Sequence, residues 1–230
     1  GASSDVTYRA DIDGLRAAAI LPVLLYHAEI PLFGGGFVGV DVFFVISGYL
    51  ITRLILAEME NGSFSIARFY ERRARRILPA LMVMIGASLA AGWFLLAPGD
   101  YQTLGRSAVA ALLSFSNFFF FDEVGYFDSP AAEKPLLHTW SLGIEEQFYL
   151  VFPLLLGLVI RYRARWRIGI ILGLCVASFG ACVAITPAFP TAAFFLPHLR
   201  AWELLLGALA AMWAPRQFSN QGWAEAGAAL

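Results

Sequence analysis

"GLRAAAILPVLLYHAEIPLFGGGFVGVDVFFVISGYLITRLI", residues 14–55, is two apolar runs on either side of three consecutive glycines. A helix of about 20 mainly apolar residues crosses a hydrocarbon core, and in lipid the backbone has no hydrogen-bond partner but itself. Glycine permits a tight turn and a close helix approach, so the stretch reads as a membrane hairpin with spans at 14–33 and 36–56.

The rest of the chain has the same character. Its 230 residues are 59% hydrophobic and 14% charged, too apolar for an ordinary soluble domain. Further spans are expected at 78–97, 141–160, 168–186 and 194–213. The fold class is therefore all-α, a polytopic transmembrane helical bundle of six spans. "SAVAALLSFSNFFFF", residues 107–121, is short for a span and runs into Asp122, Glu123 and Asp128. It is expected to be a re-entrant or interfacial segment on the outer face.

Charge placement sets the topology. Nine of the sixteen basic residues lie in two runs, Arg68 to Arg76 and Arg161 to Arg167. The bias of short cytoplasmic loops towards Lys and Arg puts both runs inside. The Arg-rich loop 57–77 is then cytoplasmic, as is the amino terminus. The first apolar stretch lacks the basic leader of a signal peptide and reads as a retained span. Cys175 and Cys182 share one apolar segment, where packing suits them better than a disulfide or a metal. No metal ligand set, phosphate-binding glycine loop or G-x-S-x-G elbow occurs, and nothing favours nucleic acid.

Ionisable residues within the spans carry the chemistry. Arg16 and His27 are eleven residues apart, just over three full turns, so they share one stripe of the first helix, with His27 about 16 Å further towards the outside. Arg16 reads as a snorkelling interfacial charge or as part of a site. His27 is an intramembrane ionisable group, a functional candidate unless a backbone carbonyl simply satisfies it. Pro22 between them should kink the helix. The hairpin brings Asp41 towards His27, where a carboxylate orients an imidazole as a general base, or Asp41 only favours its helix N-terminus.

"SIARFYERRARRILP" forms an amphipathic interfacial helix, with Arg68, Arg72, Arg75 and Arg76 on one face and Ile66, Phe69, Tyr70 and Ile77 on another. Five arginines in nine residues exceed what a lipid anchor needs, and guanidinium forks suit phosphate oxygens. "RYRARWR" reads as a plain anchor. In "LLHTWSLGIEEQFYLVFPLL", His138, Ser141, Glu145 and Tyr149 draw a polar stripe down one helix face. "FLPHLRAWELLLGALA" adds His198, Arg200 and Glu203, and Arg200 can pair with Glu203 three residues on. His138, Tyr149, Arg200 and Glu203 are candidate substrate-binding residues.

Together these stretches resemble the acyltransferase-3 family of integral membrane O-acetylases. The resemblance rests on Arg16 and His27 as an Arg-x10-His arrangement and on "GGFVGVDVFFVISGYLI". It rests also on "RFYERRARRILP", with Arg73 and Arg76 as an Arg-x-x-Arg pair, and on "HTWSLGIEEQFYL". It implies transfer of an acyl group, commonly acetyl, from cytoplasmic acyl-CoA to a hydroxyl of a cell-surface glycan or lipid-linked sugar. No cofactor is bound permanently, and acyl-CoA is a co-substrate. His27 would be the base, helped by Asp41 or Glu145, while Arg16, Arg72, Arg73 and Arg76 would hold the donor. The setting would be a bacterial-type inner membrane, with the lipid bilayer, acyl-CoA and the glycan as partners. Family members carry more spans and sometimes a fused extracytoplasmic esterase-like domain, so residues 1–230 are expected to be part of a larger membrane domain. A proton-coupled transporter or flippase is the alternative reading, since buried His, Asp and Glu suit it too.

Overall fold

The computed structural model describes residues 10–28, 30–126 and 134–213. Those residues form helices joined by short turns: α1 (Ala10–His27), α2 (Gly39–Glu60), α3 (Ile66–Leu95), α4 (Pro98–Leu112), α5 (Ser116–Tyr126), α6 (Thr139–Arg163), α7 (Arg167–Ile185), α8 (Pro190–Phe195) and α9 (Pro197–Trp213).

Three continuous helical runs are long and apolar enough to cross a membrane: 36–60, 66–95 and 139–185. The last contains the fourth and fifth expected segments, bent at the 3-10 turn Ala164–Trp166. Helices α1 and α9 lie over the first and sixth but fall short of that length. The first segment stops at His27 instead of residue 33, because Pro31 and the glycines at 34–36 turn the chain through two 3-10 turns. The expected cytoplasmic loop 57–77 shrinks to the turn between Glu60 and Ile66. Gly62 takes φ +64° there, and the Ser65 hydroxyl accepts from the Arg68 N–H to start α3. The arginine run is thus the first turns of a 30-residue helix, continuous with the third apolar segment across Pro79.

Residues 107–121 are not one helix either. The chain breaks at Leu113–Phe115, where Ser114 takes φ 59°, and α4 and α5 form a hairpin. Its turn sits against α6: Gln147 Nε2 donates to the Ser114 carbonyl at 2.6 Å and to Asn117 Oδ1 at 2.8 Å. A Cβ at Gly143 would stand 2.9 Å from Asn117 Oδ1, so α6 offers a glycine where the turn docks. At about 1.5 Å per residue, neither limb spans a hydrocarbon core of about 30 Å.

Helix directions follow from the contacts. α2 and α9 run parallel, with Asp41 beside Arg200 at one end and Arg53 near Met212 at the other. α3 is antiparallel to α6, since Met84 meets His138 while the Tyr70 hydroxyl donates to the Leu150 carbonyl at 2.7 Å. α7 is antiparallel to α9, with Ser178 Oγ donating to the His198 carbonyl at 2.7 Å and accepting from the Trp202 N–H at 3.0 Å. This arrangement gathers His27, His138 and His198 at one end of the bundle and both arginine runs at the other. The interior is mainly apolar, with a few buried polar groups such as Asn117, Glu145 and Glu203. Phe44, Leu81, Phe120, Trp140 and Leu204 fill it at the histidine end, and Ile55, Phe69, Phe152, Leu156 and Ile171 at the arginine end. The outer faces are apolar too: Val83, Trp93, Leu150, Val151, Leu158, Val176 and Val183 are exposed. A surface this apolar belongs to a membrane protein, whose solvent there is lipid.

Candidate active site

His27 ends α1, and its Nδ1 lies 2.8 Å from the Val23 carbonyl. A carbonyl only accepts, so Nδ1 carries the hydrogen, and Nε2 of the neutral ring keeps a lone pair with no partner among the described residues. Tyr26 packs edge-on against the imidazole at 5.3 Å. His138, just before α6, sets its Nε2 3.0 Å from the Met84 thioether. Burial pushes the His138 imidazole below its usual range; a hydrogen bond to the Pro135 carbonyl opposes this, and the charge of nearby His27 adds to it. Both histidines thus lie at the same end of the bundle.

Asp41 is not the partner of His27. It pairs with Arg200, 159 residues away, because α2 and α9 pack side by side from that point. Arg200 Nη1 also lies 3.3 Å from Glu203 Oε1, the i,i+3 pair expected from sequence. The guanidinium is ringed by Phe44, Trp140 and Phe194, with centroids at 5.7, 5.8 and 5.9 Å, so cation–π attraction adds to the ion pairs. Glu203 is fully buried, and neither carboxylate oxygen has a hydrogen-bond partner among the described residues.

Deeper along α6 lies a second cluster. The Tyr149 hydroxyl donates to Glu145 one turn earlier, so those two members of the expected stripe are joined, whereas Ser141 Oγ donates to the His138 carbonyl. Arg73 of α3 lies 4.1 Å over the Tyr149 ring and donates from Nη2 to Glu146 Oε1 at 3.0 Å. Glu146 escaped the sequence reading, although it sits beside Glu145. Arg73 was expected to work with Arg76, but the helix separates them. Arg73 shares the stripe of Ile66, Phe69, Tyr70 and Ile77 and turns inward, a periodicity already visible in the sequence. Arg76 points outward, exposed and without an ion pair among the described residues. Arg72 pairs with Glu58 at 2.6 Å and Arg75 with Glu71 at 2.8 Å. Arg16 lies on the α1 helix, but its side chain is outside the described residues.

The arrangement offers an imidazole whose Nε2 has no partner among the described residues at one end and exposed arginines at the other. Buried acid–base groups line the interior between them. Among the described residues, no three or more His, Cys, Asp or Glu gather as metal ligands.

Comparison with known proteins gives this arrangement a context. The family described as "Acyltransferase domain" matches residues 9–230. Peptidoglycan O-acetyltransferase OatA of Listeria monocytogenes is 39% identical over 213 residues, covering 90% of this chain and 34% of that protein. "Putative peptidoglycan O-acetyltransferase YrhL" of Bacillus subtilis is 38% identical over 221 residues, 93% of this chain and 34% of its own length. The chain thus spans about a third of the length of these curated relatives. No solved structure matches.

Proposed function

Since the chain belongs to the acyltransferase-domain family, we propose that it forms the helical core of a membrane O-acyltransferase acting on a cell-surface glycan. The donor is cytoplasmic acyl-CoA, acetyl in the simplest case, and the acceptor is a hydroxyl of peptidoglycan or a lipid-linked sugar. The arginine end faces the cytoplasm of a bacterial-type inner membrane, with the amino terminus on that side and the histidine end opposite. The α4–α5 hairpin is re-entrant from the outer face.

The observation that carries this reading is the orientation of His27: the Val23 carbonyl satisfies Nδ1, as it would in a structural histidine, but leaves Nε2 without a partner among the described residues. Acyl transfer needs a base for the hydroxyl proton, and the Val23 carbonyl holds the ring with Nε2 available. The acceptor oxygen gives its proton to Nε2 and attacks the thioester carbon, the carbon–sulfur bond breaks, and the proton passes to the departing CoA thiolate. Arg200, encased by aromatic rings, is the cation best placed to steady the developing oxyanion, and Asp41 and Glu203 hold it there. Arg72 and Arg76 remain the phosphate ligands of the run, since both are exposed. Arg73 with Glu146, and Tyr149 with Glu145, line the way between the ends.

The test is transfer of label from radioactive acetyl-CoA to a peptidoglycan fragment by the full-length protein in proteoliposomes. Label on the acceptor, lost in His27→Ala, supports the reading. Movement of the acceptor without consumption of acetyl-CoA supports the transporter instead.

A further inference from the structure

A second charged place lies at the arginine end, away from the Arg68–Arg76 run. Arg53 of α2 and Arg167 at the start of α7 line a cavity of about 160 Å³ with Leu56, Ala57, Ala211 and Met212. At roughly 30 Å³ per liquid water it holds about five waters, room for a phosphate or pyrophosphate group. Both arginines are half-buried, yet neither makes an ion pair or donates a hydrogen bond among the described residues. Arg53 only lies 6.0 Å over the Tyr49 ring.

That is an unusual state for a guanidinium, which brings five donors and seeks bidentate acceptors. The carboxylate of Glu60 lines the same cavity and limits its net charge.

We infer that Arg53 and Arg167 form a site for a phosphate-bearing anion between α2, α7 and α9. Two sources carry that chemistry at a cytoplasmic membrane surface: the phosphates of coenzyme A and the headgroup of an anionic phospholipid. The site stands on its own geometry. Only its assignment to coenzyme A rests on the proposed function.

The experiment uses the full-length protein and two probes. Coenzyme A binding is measured by calorimetry in detergent, and phosphatidylglycerol retention by native mass spectrometry from nanodiscs. Arg53→Gln and Arg167→Gln should each weaken one probe about tenfold, the loss of roughly one charge-assisted hydrogen bond. Arg165→Gln removes the same charge from a neighbouring position that does not line the cavity, and should change neither probe. Loss confined to coenzyme A identifies the donor's phosphates. Loss confined to phosphatidylglycerol identifies a lipid site and stands even if coenzyme A does not bind at all. The inference is overturned if the wild type holds neither probe, if both arginine variants bind both probes like wild type, or if Arg165→Gln weakens binding equally.

Discussion

Gly48→Ala tests the pairing on which the histidine-end site depends. A Cβ at Gly48 would lie 1.9 Å from the Leu204 carbonyl oxygen, and one at Gly207 1.9 Å from that of Val45. Ordinary contact begins near 3.4 Å, so α2 and α9 would have to part by about 1.5 Å. The obstacle is backbone in both cases, and no rotamer change relieves it. Overpacking costs about 1–3 kcal/mol, and a backbone obstacle puts this site at the upper end. At roughly 2–4 °C per kcal/mol for a chain of this size, about 3 kcal/mol lowers Tm by about 6–12 °C. Parting the helices also draws Arg200 from Asp41, so acyl transfer should fall with stability. The assay is size-exclusion chromatography of the full-length protein in detergent after heating, with Gly180→Ala as the reference. Gly180 is exposed on α7, where an added Cβ meets nothing within 4 Å, and alanine gains up to about 1 kcal/mol of helix propensity. If Gly48→Ala melts together with Gly180→Ala, the close parallel packing of α2 and α9 is wrong.

Other outcomes follow from single contacts. His27→Ala should abolish acyl transfer without changing membrane insertion; retained full activity in the labelled acetyl-CoA assay would refute the base assignment. Arg73→Ala leaves Glu146 as an unpaired, mostly buried carboxylate and should cost about 3–5 kcal/mol, whereas Arg75→Ala, at an exposed pair, should stay within about 1 kcal/mol. Thermal melts of the two variants in detergent compare them directly. The lowered pKa of His138 means that the unfolded chain protonates before the folded one as pH falls. Its contribution is therefore complete above the ordinary histidine value of about 6.5 and is lost as pH drops below it. His138→Asn should flatten Tm against pH in that window, and an unchanged slope would assign the dependence to another group.

Legibility in the sequence depended on range. Apolar length located the helical segments, because in lipid a helix is the way a single segment satisfies its backbone. The helix period placed Glu145 and Tyr149 on one face and Arg200 within reach of Glu203, since both relations are local. The same period would have turned Arg73 inward had its stripe been drawn through Phe69 and Ile77. Boundaries at His27 and Glu60 were missed because proline, glycine and one serine cap decide them, not hydropathy. The break at Ser114 was hidden within a continuous run of apolar residues.

By itself the sequence determined that this is an all-helical membrane chain with its arginines gathered in two runs, and it carried the motifs of the family. These properties are sums over neighbouring residues, so no partner has to be known. Only the tertiary structure decided that Asp41 meets Arg200 instead of His27, that Glu203 is sealed in without a hydrogen bond from the described residues, and that Arg53 and Arg167 share a cavity. Each joins helices far apart in the chain. Their meeting is set by glycine contacts such as Gly48 on Leu204, which leave no periodic trace in either helix alone.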